Sequence, residues 1–133
     1  MAVTITSQTM ADGERSSVVK IMIVSDGVGG ELNNQLIYDA SAFSFPTNSN
    51  RLDKVACQLN GFDCVLSWDA TTPVPFMALD QNMSTPQDLR DAGGIVNNGG
   101  AGQTGDILIS TGGLSNNATY GTIILYITKR KPI

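Results

Sequence analysis

An all-β fold is predicted: a β-sandwich, jelly-roll-like or Ig-like in connectivity, with a closed barrel as second choice. Stretches in which apolar and polar residues alternate with period 2 recur along the chain, each bounded by Gly, Asn, Asp or Pro. Charged residues make up only 15%, and 14 of the 133 residues are glycine, which suits strands joined by turns better than a helical bundle. Helix-start chemistry occurs once, so at most one short helix is expected, near residues 85-91. A chain of 133 residues buries roughly two-thirds of its unfolded surface on folding, so residues 1-133 are expected to form a single domain.

Taken in order, Ala2 to Ser7 alternates and reads as a strand, and Asp12-Gly13 marks a turn. Arg15 to Ser25 is a longer strand. Val19, Ile21 and Ile23 share one of its faces, while Val18, Lys20, Met22 and Val24 share the other. Two largely apolar faces predict a central strand covered on both sides. Asp26 to Gly30 is a loop, and Gln35 to Asp39 a short strand. Ala42 to Asn50 is expected to be irregular, with Phe43 and Phe45 tucked onto the sheet and Pro46 and Thr47-Asn48-Ser49-Asn50 stopping any ladder.

Arg51 to Asp69 is predicted to be the central hairpin, folded at Asn60-Gly61, because both residues tolerate the positive φ of a type I′ turn. That register sets Leu59 opposite Phe62, Cys57 opposite Cys64 and Val55 opposite Leu66. It gathers Val55, Cys57, Leu59, Phe62, Cys64, Leu66 and Trp68 on one apolar face. Cys57 and Cys64 are the only cysteines. A bridge between them is one reading. Two buried thiols are preferred, because this would be a wide, hydrogen-bonded pair with unsuitable geometry for a disulfide.

Ala70 to Pro75 reads as a stiff connector and Phe76 to Leu79 as a strand. In the helix candidate Thr85 would cap, Pro86 would take the first helical position and Asp88 the first turn, with Gly93-Gly94 ending it. Gly94 to Gly105 is a Gly/Asn-rich loop, Asp106 to Thr111 a strand, and Gly112 to Thr119 a turn. Tyr120 to Thr128 is the last strand, again apolar on both faces, and Pro132 limits the ladder beyond Lys131.

Few reaction types are open to this composition. With no histidine, Ser-His and Cys-His catalysis are excluded, and two cysteines without imidazole do not complete a usual zinc site. Gly100 to Gly105 fits G-x-G-x-x-G, but a strand follows where a dinucleotide site needs a helix, so a flexible connecting loop is expected. Asp12, Asp26, Asp63 and Asp69 read as solvated carboxylates. Trp68 reads as core in preference to a sugar-stacking platform with Tyr38, Tyr120 and Tyr126. No catalytic, cofactor-binding or metal-binding residue is assigned, and no enzyme is expected.

A net charge of −4 disfavours nucleic acid as a partner. Residues 1–10 lack the pattern of a signal peptide, and no run approaches the roughly 20 apolar residues of a membrane span, so a soluble protein made in a cytosol is expected. Asn82-Met83-Ser84 and Asn117-Ala118-Thr119 match the glycosylation acceptor pattern and are read as chance. Lys129, Arg130 and Lys131 form the one basic cluster, either a solvated tail or a contact for an acidic partner surface. Two strands apolar on both faces in so short a chain also suggest that other subunits supply part of the cover.

Four stretches carry a resemblance: TITSQTMADGERSSVVKIMIVSDG at the start, LNGFDCVLSWDATTPVPFMAL in the centre, the loop GGIVNNGGAGQTGDILIST, and the ending YGTIILYITKR. With them the chain resembles small β-rich virion structural proteins of tailed bacteriophages, of the capsid decoration or cement type. The resemblance implies a protein made in the host cytoplasm and located in the virion, bound to the major capsid protein. It also implies a homo-oligomer, a trimer being one common form, with no catalytic residues to carry over. A head-to-tail or tail component, or a carbohydrate- or receptor-binding module, is the alternative.

Overall fold

The computed structural model describes residues 3–28, 30–81, 86–114 and 118–132, with side chains as far as Lys129. Among these residues ten strands run in chain order: β1 (Val3–Asp12), β2 (Ser16–Asp26), β3 (Gln35–Tyr38), β4 (Thr47–Asn60), β5 (Asp63–Trp68), β6 (Val74–Leu79), β7 (Gln87–Asp88), β8 (Ile95–Val96), β9 (Ile107–Gly112) and β10 (Ala118–Pro132). They form two antiparallel sheets. The larger has the order β1-β2-β10-β4-β7, with β8 also on β4, and the smaller has the order β3-β9-β5-β6. The all-β sandwich expected from the alternation is therefore present, and its two sheets enclose one cluster of buried side chains.

The bend at Asn60-Gly61 is present, but the hairpin is not. β4 pairs with β10, β7 and β8, whereas β5 pairs with β6 and β9. The chain turns a corner there and passes from the larger sheet to the smaller. Gly61 has φ +81°, but Asn60 is not among the residues with positive φ, so the type I′ geometry is not formed. Cys57 consequently lies beside Ile123, and Cys64 between Thr111 and Leu79. The predicted apolar face is nevertheless inward. Val55, Leu59, Phe62, Cys64, Leu66 and Trp68 are all buried, and Cys57 is half-buried. Facing one core from two layers and sharing one side of a hairpin demand the same alternation, so the pattern alone does not separate them.

The Phe62 ring packs closely on Gly121 of β10. A Cβ there would lie 2.7 Å from the Phe62 ring and 2.9 Å from Leu59. Trp68 stacks on Phe76 with centroids 4.1 Å apart, and Tyr38 on Phe43 at 4.8 Å.

Several local expectations are corrected. Residues 47–50 open β4 instead of stopping a ladder, because Pro46 precedes the strand and removes no bond from its interior. β10 runs on to Pro132, which pairs with Thr47. Phe43 does tuck onto Tyr38, whereas Phe45, at φ +55°, is 53% exposed. Among the described residues no α-helix forms near residue 88. Residues 87–88 join β4 as a strand, and Arg90–Ala92 make a single 3-10 turn. There the Asp88 carboxylate accepts the Arg90 backbone N–H at 3.1 Å, a local bond that competes with helix formation, and Gly93 and Gly94 follow with positive φ. Thr85, the proposed cap, lies outside the described residues, as do Asn82 and Asn117 of the acceptor patterns.

Candidate interaction surface

β2 and β10 are central strands, but only their inner faces are covered. Val19, Ile21, Ile23, Ile123, Leu125 and Ile127 are buried between the sheets. The alternate residues point away. Register places them in rows across the larger sheet: Thr4, Val24, Tyr120 and Asn60; Thr6, Met22, Thr122 and Gln58; Gln8, Lys20, Ile124 and Ala56; and Val18, Tyr126 and Lys54. Met22 is 41% exposed, Val24 43% and Tyr120 58%, while Val18, Ile124 and Tyr126 are half-buried. The expected double coverage is therefore not supplied by the described residues, because the smaller sheet occupies only the inner side.

Two cations stand among these residues, Lys20 and Lys54. Lys54 Nζ sits 5.2 Å from the centre of the Tyr126 ring, which holds a charge over the aromatic face. Beside it a groove of about 270 Å³ is lined by Ser16, Val18, Asp53, Lys54, Arg90 and Tyr126. Its other charges are engaged internally. Asp53 accepts from Arg51 Nε at 2.7 Å and from the Thr128 hydroxyl. Arg90 grips Asp88 with two bonds of 2.9 and 2.6 Å, which hold that carboxyl well below its ordinary range. The outer side of the smaller sheet differs in sign. A concavity of about 420 Å³ there is lined by small residues including Val65, Ala78 and Ser110, with Asp63 and Asp80 and no cation.

Lys129 does not belong to a solvated tail. It is buried, and its Nζ donates to Asp12 Oδ1 at 2.7 Å, to the Gly13 carbonyl at 2.7 Å and to the Ser44 carbonyl. The rings of Phe43 and Phe45 lie 5.9 and 6.0 Å away. Lys129 thus ties the last strand to the β1–β2 turn and to the loop before β4. It also holds the Asp12 carboxyl below its usual value, chiefly through the direct hydrogen bond. The side chains of Arg130 and Lys131 lie outside the described residues. The two-faced alternation of β2 and β10 pointed to the open surface in the sequence. Nothing local distinguished Lys129 from its basic neighbours.

The remaining candidates hold structural places. Trp68 is fully buried, and its Nε1 has no hydrogen-bond partner among the described residues. Neither cysteine forms a disulfide, and burial pushes the Cys64 thiol up to about 12 and the Cys57 thiol upward as well. Hydrogen bonds anchor the glycine loop. Thr71 N–H donates to the Ala101 carbonyl at 3.0 Å and Thr104 N–H to the Asp69 carbonyl at 3.2 Å. Buried Asn50 reaches the Gly105 carbonyl at 2.8 Å and accepts from Asn97 Nδ2 at 3.0 Å. The loop leads into β9, so no helix N-terminus stands behind it to receive a phosphate. Among the described residues no group of three or more Cys, Asp or Glu is placed to hold a metal ion, and no helix is long and apolar enough to cross a membrane.

No protein-family model matches this chain, and no curated protein matches it.

Proposed function

We propose that this protein is a bacteriophage virion structural protein, a capsid decoration or cement protein that binds the head lattice. The observation that carries the reading is the uncovered outer face of β2 and β10. Val18, Met22, Val24, Tyr120, Ile124 and Tyr126 lie on one sheet face, with Lys20 among them on β2 and Lys54 beside Tyr126 on β4. Contiguous apolar surface is uncommon on proteins that act alone, and aromatic residues are enriched where proteins meet. The face suits a largely apolar protein partner with acidic groups placed opposite Lys20 and Lys54, the two lysines steering the approach. The major capsid protein is the proposed partner. Cementing needs no catalysis, because a protein that binds only the assembled lattice stabilises it by mass action.

The carbohydrate-binding alternative loses its strongest residue, since Trp68 is in the core. Co-sedimentation with expanded heads of the encoding phage tests the proposal. Wild-type protein is expected to pellet with heads and not to bind free capsid subunits, and Met22→Glu and Tyr120→Glu are expected to stay in the supernatant. Both variants alter outward side chains, so they keep the fold. Wild-type protein indifferent to heads, or variants that bind as well as wild type, would overturn the reading. Pelleting with isolated tails instead would move the protein to the tail.

A further inference from the structure

The two sheets have four edges, and three of them are blunted. β6 carries Pro75, which offers no backbone donor. β3 has four residues, with a register shift between Leu36 and Tyr38 and Asp39 just beyond. At the far edge of the larger sheet β4 is bordered only over residues 51–55, by β7 and β8 of two residues each with the Asp88–Arg90 ion pair beside β7, so its open stretch is the short segment 56–60. These are devices by which proteins keep edges from pairing with other chains.

β1 has none of them over most of its length. It is ten residues long and pairs with β2 in unbroken register from Val3↔Ser25 to Thr9↔Val19, and its only shift comes after Thr9. Val3 to Ala11 contains no charge and no proline. Among the described residues no strand borders its outer side. Beyond Ile5 the residues of β1 are exposed on both faces, so the smaller sheet does not overhang this edge. Room exists for a further strand, with a ladder waiting for it.

We infer that this edge pairs with β1 of a second copy, antiparallel about a two-fold axis, joining two larger sheets into one. Charge does not oppose this occupant along the edge. The molecule carries net charge −4, and Val3 to Ala11 lets two copies approach without setting like charges against each other. The sequence is also compatible with its own reversal. An axis at Thr6 sets Thr6 opposite Thr6, Ile5 opposite Ser7, Thr4 opposite Gln8 and Val3 opposite Thr9. Each pair keeps both members on the same face, and threonine, valine and isoleucine suit paired strands. Such a contact is isologous, so it closes at two copies. It does not rest on the head-binding reading.

The test is a charge swap at the axis. By analytical ultracentrifugation the wild type is expected to be a dimer. Thr6→Lys and Thr6→Glu, each alone, are expected to dimerise at least about fivefold more weakly, because each sets like charges face to face. An equimolar mixture of the two variants is expected to recover the dimer. Hydrogen exchange on wild-type protein gives a second readout that needs no variant: β1 amides are expected to gain protection as concentration rises. A monomeric wild type, an assembly indifferent to both substitutions, a mixture no tighter than its parts, or concentration-independent exchange in β1 would each overturn the inference.

Discussion

Replacing Leu66 with alanine probes the two-layer core at its centre. Leu66 is fully buried on β5, flanked in its own sheet by Ile109 and Met77, and it faces the larger sheet across the core. The change removes three carbons, which at about 0.8 kcal/mol each is roughly 2.4 kcal/mol of lost transfer energy. If the surroundings do not collapse, a cavity of about 60 Å³ at about 24 cal/mol per Å³ adds roughly 1.4 kcal/mol. The expected loss is therefore about 2.4 to 4 kcal/mol. In a domain of this size that lowers the melting temperature by roughly 10 to 15 °C. Urea titration followed by tryptophan fluorescence measures it directly, because Trp68 lies two residues along the same strand. The midpoint is expected to fall while the slope stays unchanged, as for a change in stability alone. A loss below about 1 kcal/mol at constant slope would refute the placement of Leu66 between two close-packed sheets.

Gly105 and Gly93 both have positive φ, near +89° and +87°, but a Cβ on Gly105 would strike the Thr47 carbonyl oxygen whereas one on Gly93 meets nothing within 4 Å. Gly93→Ala is expected to cost about 1 kcal/mol of backbone strain and Gly105→Ala at least twice that by urea titration, and equal losses would contradict the loop packing. Thiol titration of non-reduced protein at pH 8 is expected to find Cys64 unreactive until denaturant is added and both thiols reactive afterwards; no reactive thiol in denaturant would mean a bridge. The folded-state pKa of Asp12 lies below its ordinary 3.8, so its contribution is complete above that value and fades as pH falls through the lower one. Asp106 is shifted upward, mainly by burial, so its ionised form costs stability at neutral pH, and that cost disappears as pH falls through its raised value toward 3.8. Asp12→Asn is thus expected to lower stability at pH 7 and flatten its acid loss. Asp106→Asn, which keeps the acceptor for the Ala40 N–H, is expected to match or exceed wild type at pH 7 and lose that advantage in acid.

The helix candidate near residue 88 shows a local signal that was real but misassigned. Asp88 does bond the backbone just after it, yet to an Arg90 that it also grips by its guanidinium, and two glycines with positive φ follow at once. Lys129 shows the opposite failure. The residues after it are cationic, so the sequence offered a solvated tail or a partner contact, but Lys129 is buried and its carboxylate partner Asp12 lies 117 positions away.

From the sequence alone came the strand periodicity, the inward set from Val55 to Trp68, the bend at Asn60-Gly61 and the two-faced character of β2 and β10. Each depends on how a residue and its near neighbours meet water, which is local information. Only the tertiary structure decided that the bend crosses between layers, that Lys129 is enclosed, and that β1 and the outer face of β2 and β10 remain open. Those outcomes depend on which distant segments close on one another. Alternation says that a face must be buried, but not what will bury it.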